Sequence, residues 1–181
     1  MRAFVGVPIP ALDGLKDALH ALRDAGADLK VVGEDQFHLT LQFLADVDES
    51  EAKALVDVVG RDPLPTPFHI AVRDVGAFPN WHKLNVVWAG IEDKEGGLAK
   101  LHAATDKAWV GLGHLGEGRP FKPHLTLARK RTDRHAEKAR QAMTRFRGTD
   151  FGTVRVDRIN LYQSTLSADG ARYDVVEAVT L

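Results

Sequence analysis

His38-Leu39-Thr40-Leu41 recurs as His124-Leu125-Thr126-Leu127, 86 residues further along the chain. In extended chain, each copy sends His and Thr to one face, about 7 Å apart, and its leucines to the other. Around the first copy, Phe37, Leu39, Leu41 and Phe43 form an apolar face, and His38, Thr40 and Gln42 a polar one. Around the second, Pro123, Leu125 and Leu127 are apolar, and Lys122, His124 and Thr126 polar. Two such strands facing one cleft would gather two imidazoles, two hydroxyls and an ammonium. That set suits phosphoryl transfer. A neutral imidazole takes a proton from an attacking water, and an imidazolium gives one to the leaving oxygen. The Thr40 and Thr126 hydroxyls donate to non-bridging phosphate oxygens, and Lys122 offsets the charge that develops there. A single His-x-Thr on a strand is more often a structural histidine; the matched pair points to function. The other six histidines, His20, His69, His82, His102, His114 and His135, show no such pattern and read as surface or structural.

Alternation and turn signals supply the elements that must position this pair. Arg2–Ile9 reads as a strand ended by Pro8 and Pro10. Leu12, Leu15, Ala18, Leu19 and Leu22 recur at helical spacing, with Gly26 as the stop. A short strand at Leu29–Val32 and a turn at Gly33-Glu34-Asp35 lead into the strand Phe37–Leu44. Asp48–Val59 reads as a helix, with Asp48 as N-cap and Glu51 closing a capping box. A stiff Pro63–Pro67 linker precedes strands at Phe68–Val75 and Leu84–Ile91. Leu98, Leu101, Ala104, Ala108 and Leu112 mark a third helix, and Pro123–Arg129 a further strand. A basic helix is expected over Asp133–Phe146. A bent strand at Gly152–Leu166, a turn at Ala168-Asp169-Gly170 and a strand at Arg172–Leu181 complete the chain. Interleaved strands and helices place the fold in the α+β or α/β class.

At 181 residues the chain suits one domain, 1–181, built of two packed lobes that each offer one motif strand. It contains no cysteine, which excludes disulfides, thiolate nucleophiles and Cys-ligated metals, and points to the cytoplasm. No close-spaced His or His/Glu ligand motif is present, so no metal is expected. No apolar run approaches the ~20 residues of a membrane span. The net charge of −1 hides an asymmetry: residues 119–158 carry 12 Lys/Arg against 4 Asp/Glu, while residues 1–118 carry 11 against 18. Arg134, Lys138 and Arg145 in the basic block either track an anionic backbone or form a solvated face.

With these motifs in place, the chain resembles the 2H phosphoesterase superfamily, whose signature is a pair of His-x-Thr-x motifs. More narrowly it resembles the bacterial and archaeal RNA 2′,3′-cyclic phosphodiesterases, historically called 2′-5′ RNA ligases. The likeness spans nearly the whole chain. It runs through Arg2-Ala3-Phe4-Val5, Phe37–Leu44, Gly76-Ala77-Phe78-Pro79, Val86–Gly90 and Phe121–Arg129. It ends in Leu161-Tyr162-Gln163-Ser164-Thr165-Leu166, with Gly170 and Tyr173 beyond. Ala45 departs from it, standing where the family usually has Gly. The resemblance implies a bilobal α+β fold, with antiparallel sheets lining a central cleft and helices outside. It implies hydrolysis of RNA 2′,3′-cyclic phosphate ends, or cyclic nucleotides, to 2′-phosphates. His38 is then the proton donor and His124 the acceptor, while Thr40 and Thr126 bind phosphate. No cofactor is required, and the family also shows weak, reversible 2′-5′ ligation, in which an RNA hydroxyl replaces water. Arg129 is a candidate RNA or phosphate contact, although its parity puts it on the apolar face of an ideal strand. Phe43 is a candidate base platform, although its alternation with Leu39 and Leu41 assigns it to the core. Trp81, in the Pro79-Asn80-Trp81-His82 loop, is a freer aromatic candidate. A monomer suffices for all of this. The competing reading is an RNA- or nucleotide-binding adaptor of the same fold without turnover.

Overall fold

The computed structural model describes residues 1–168 and 170–181. Nine strands and four α-helices alternate along the described chain: β1 (Arg2–Pro8), α1 (Asp13–Asp24), β2 (Leu29–Val31), β3 (His38–Asp46), α2 (Glu49–Arg61), β4 (Phe68–Phe78), β5 (Val86–Glu92), α3 (Gly97–Gly111), β6 (His124–Lys130), α4 (Ala136–Met143), β7 (Asp150–Val156), β8 (Arg158–Ser167) and β9 (Gly170–Thr180). The class is α+β. The strands form two antiparallel sheets, ordered β3-β1-β8-β9 and β2-β6-β5-β4-β7.

The helices form because their apolar residues repeat at helical spacing and need a sheet to cover. α1 buries Leu15, Ala18, Leu19 and Leu22; α2 buries Ala52, Leu55, Val56 and Val59. Each fully buried leucine contributes roughly 1.5–3 kcal/mol by leaving water. Two of the helices, α1 and α3, cross between sheets. α1 follows β1 yet packs on β2, β6 and β7, with α4 against it, while α3 follows β5 yet packs on β3 and α2. The crossed packing merges the buried side chains of both sheets into one cluster. It also brings β3 and β6 to Cα separations within 8 Å, although they belong to different sheets.

Several local expectations are corrected. Asp48 stands at the N-cap of α2 but makes no side-chain cap hydrogen bond. Glu51 does not close a capping box, because its carboxylate is engaged by His114 Nε2 at 2.7 Å. The Gly152–Leu166 segment is two strands in different sheets: β7 pairs with β4, and β8 lies between β1 and β9. Alternation alone cannot reveal a change of sheet, and here the chain breaks at Asp157, which ion-pairs with Arg155 and Arg158. The basic helix is shorter than expected, a 3₁₀ turn at Thr144–Phe146 taking its last residues. The Ala168-Asp169-Gly170 turn includes Asp169, which lies outside the described residues. No helix among the described residues is long and apolar enough to cross a membrane.

The departure at Ala45 has a physical reading. Its φ is 53°, in the left-handed region, beside a register shift in the β1–β3 pairing. A non-glycine residue there costs about 1–2 kcal/mol, set against about 0.5–1 kcal/mol of extra chain entropy for glycine. Ala45→Gly is therefore expected to stabilise the fold by about 0.5–1 kcal/mol in chemical denaturation, with activity unchanged.

Candidate active site

Each motif strand carries a β-bulge one residue beyond its threonine. The β1–β3 ladder pairs Gly6 with Thr40 and Val5 with Gln42, skipping Leu41. The β5–β6 ladder pairs Trp88 with Thr126 and Val87 with Ala128, skipping Leu127. The skipped residue is the fourth of the motif both times, so the local geometry repeats along with the sequence. A bulge reverses which face the following residues occupy. On β6, Ala128 becomes fully buried and Arg129 turns to solvent on the face of His124 and Thr126. On β3, Gln42 is buried and Phe43 is 61% exposed on the face of His38 and Thr40. The assignment of Phe43 to the core is thereby corrected, and the parity objection to Arg129 removed. Both expectations assumed an unbroken period of two. Phe43 and Arg129 occupy the same place after their respective histidines.

The histidines are held alike. His38 Nδ1–H donates to the Gln36 carbonyl at 2.9 Å, and His124 Nδ1–H to the Lys122 carbonyl at 2.8 Å. A carbonyl only accepts, so the proton is pinned on Nδ1 and Nε2 of each neutral ring is left basic. Both rings and both threonines are half-buried. Lys122 stands just before β6 with its side chain exposed, and its backbone carbonyl is the His124 anchor.

The surroundings of the two rings differ. His38 sits among aromatic rings: Phe4 at 4.5 Å, Tyr173 at 4.8 Å edge-on and Tyr162 at 5.7 Å. The chain has two tyrosines, and both lie beside this histidine. The Tyr162 hydroxyl accepts from Asn160 at 3.1 Å, and burial pushes its pKa up. His124 meets the edge of Phe78 at 4.9 Å. Burial holds the His38 pKa below its ordinary value; the Gln36 hydrogen bond opposes the shift, and the positive charge of Arg129 adds to it. Arg129 comes from β6 and His38 from β3, strands whose Cα atoms approach within 8 Å of each other. Arg129→Gln removes a like charge that penalises the imidazolium, so the His38 pKa is expected to rise toward the ordinary value of about 6.5. The His38 Cε1–H resonance, followed through a pH titration, checks this; an unmoved midpoint would place the guanidinium too far away to act.

The remaining candidates lie further out. Trp81 is partly buried against the core and carries the Arg147 guanidinium 5.2 Å over its ring. α4 packs on α1, the helix that covers the other face of β6 and β7, so Lys138 extends from the helix side of the sheet. Among the described residues, no three His, Asp or Glu side chains gather as a metal site. Two surface hollows, of about 280 and 260 Å³, hold neither histidine. Phe4, Phe78 and Tyr162 belong to the segments that carry the resemblance, but their place beside the histidines is not foreseeable from them, because a hydrophobic strand position does not reveal which ring it will touch.

A family model described as the 2′-5′ RNA ligase superfamily matches residues 9–167. The RNA 2′,3′-cyclic phosphodiesterase of Methanothermobacter thermautotrophicus is 33% identical over 187 residues, spanning 100% of this chain and 99% of the relative. That of Methanocaldococcus jannaschii is 28% identical, spanning 98% and 99%. The crystal structure of TT0787 of Thermus thermophilus matches with a TM-score of 0.83 at 29% identity, covering 100% of this chain and 98% of that one. Escherichia coli LigT complexed with 3′-AMP matches with a TM-score of 0.77 at 25% identity, covering 99% and 97%. The matches agree with the resemblance read from the paired motifs, and the chain belongs to the 2′-5′ RNA ligase superfamily.

Proposed function

We propose that this protein hydrolyses RNA 2′,3′-cyclic phosphate ends to 2′-phosphate ends, using His38 and His124 as a general acid/base pair without a metal. The observation that carries the reading is the repeated arrangement of two imidazoles, each pinned at Nδ1 with Nε2 free, on two bulged strands whose Cα atoms come within 8 Å of each other. The names of the full-length relatives support the same substrate class.

In this reading the cyclic phosphate sits between the histidines, its non-bridging oxygens accepting from the Thr40 and Thr126 hydroxyls. His124 Nε2 takes a proton from water as the water oxygen attacks phosphorus in line. The P–O3′ bond breaks, and His38 Nε2–H protonates the departing O3′. The product is a 2′-phosphomonoester with a free 3′-hydroxyl, one water having been consumed. An RNA 5′-hydroxyl in place of water would form a 2′-5′ linkage by the same steps. The donor role requires a protonated His38, which burial and Arg129 disfavour in the free protein. An arriving phosphate anion reverses that balance by offsetting the guanidinium and favouring the imidazolium. Arg129 and Lys122 hold the anionic end, and Phe43 offers an exposed ring for the terminal base. Trp81 serves as an outer platform, one face already under Arg147. The protein acts as a single-domain, two-lobed monomer in the cytoplasm.

The test is an end-group assay. A short RNA ending in 2′,3′-cyclic phosphate is incubated with the protein in EDTA, and the product ends are resolved. A 2′-phosphate product is expected. Retained RNA binding with no turnover would move the assignment to an adaptor, and turnover only with added metal would move it to a metallohydrolase.

A further inference from the structure

The bulge of the first motif leaves a carbonyl in need of a donor. Leu41 is skipped in the β1–β3 ladder, and β3 is the edge strand of its sheet, so no further strand among the described residues runs beside it. On β6 the matching residue is provided for: β2 lies alongside, and the Val32 backbone N–H donates to the Leu127 carbonyl at 2.9 Å. On β3 a side chain takes that place. His102, from α3, donates through Nδ1–H to the Leu41 carbonyl, also at 2.9 Å. The His102 ring also lies flat on Phe121, with centroids 4.3 Å and planes 8° apart. Phe121 belongs to the segment that leads directly into His124.

We propose that His102 is a positioning residue for the two-histidine site. It stands in for the missing edge strand at the first bulge, and its stack ties that bulge to the segment delivering the second motif. A bulge kept in place holds His38 and Thr40 before it, and Phe43 after it, on one face. A bulge whose carbonyl lacks its donor is free to slip, and a one-residue slip turns that face over. The kinetic consequence rests on the function proposed above; the structural one does not.

Three variants separate the two contacts. His102→Asn keeps an N–H donor at the position of Nδ1 and loses most of the stack. His102→Phe keeps the stack and loses the donor, and His102→Ala loses both. Each is measured for kcat and KM on a 2′,3′-cyclic mononucleotide, for melting temperature, and for amide hydrogen exchange of the β3 residues flanking Leu41. His102→Phe is expected to lower kcat about tenfold and to speed exchange at β3, with its melting temperature little changed. His102→Asn is expected to recover most of the kcat that His102→Phe loses. Two results would overturn the proposal: a His102→Phe protein with unchanged kcat or unchanged β3 exchange, or losses in all three variants that simply follow melting temperature. If the wild-type protein hydrolyses no cyclic phosphate, the proposed function fails, and the exchange data alone then decide the fate of the clamp.

Discussion

Replacing either motif histidine is expected to lower kcat by about 10²–10⁴-fold, the usual worth of one positioned proton transfer. The double variant should lose little more than the worse single one, because the two groups act in one concerted step and their effects do not add. Alanine at position 38 opens a gap among Phe4, Tyr162 and Tyr173, so a folding defect must be separated from a chemical one. Asparagine does this. Its amide N–H can replace Nδ1–H on the Gln36 or Lys122 carbonyl, yet nothing then stands at Nε2. An asparagine variant that folds and keeps activity within a few-fold of wild type would remove proton transfer from the mechanism. A diester with an acidic phenol as leaving group separates the roles. A good leaving group needs no protonation, so it should rescue the variant lacking the acid, His38, and not the one lacking the base, His124. Rescue at position 124 instead would exchange the two assignments.

The second large effect is expected at the threonines. Thr40→Val and Thr126→Val keep the β-branched shape that suits a strand while deleting the hydroxyl. If each hydroxyl donates to the charge developing on the phosphate, each loss should cost about 10²–10³-fold in kcat. Serine restores the donor and should recover most of it. Valine fits the half-buried strand as well as threonine does, so the melting temperature should hold or rise. A fall in activity with unchanged stability would locate the effect in the reaction. Valine variants with wild-type kcat would mean that the phosphate is held by other groups, with Arg129 and Lys122 the first to examine.

The legibility of this site follows from the physics of a strand. Side chains two apart share a face, so spacing alone pairs His38 with Thr40, and His124 with Thr126, as the structure does. The repetition marks both segments, and helical spacing locates α1, α2 and α3 to within a few residues. The pattern fails where a local irregularity resets the period. The bulges at Leu41 and Leu127 expose Phe43 and turn Arg129 toward the site, against parity in both cases. Nothing in the composition of either motif announces a bulge, since the same leucines would alternate in a regular strand. The Asp48–Glu51 capping box fails for a related reason: His114, 63 residues away, takes the carboxylate the box required.

The chemistry on offer is readable before any folding is considered: two imidazoles and two hydroxyls on strands, no thiol, and a basic block near the second motif. These depend on residue identity and on the two-residue period of extended chain, which need no tertiary partner. Three relations come from long-range packing: β3 and β6 meet although they belong to different sheets, the charge of Arg129 on one strand bears on His38 on the other, and both tyrosines close around one histidine. Those relations arise from helices packing on the opposite sheet and from bulges set by ladder register, where residues distant in sequence compete for the same hydrogen bonds and the same buried space.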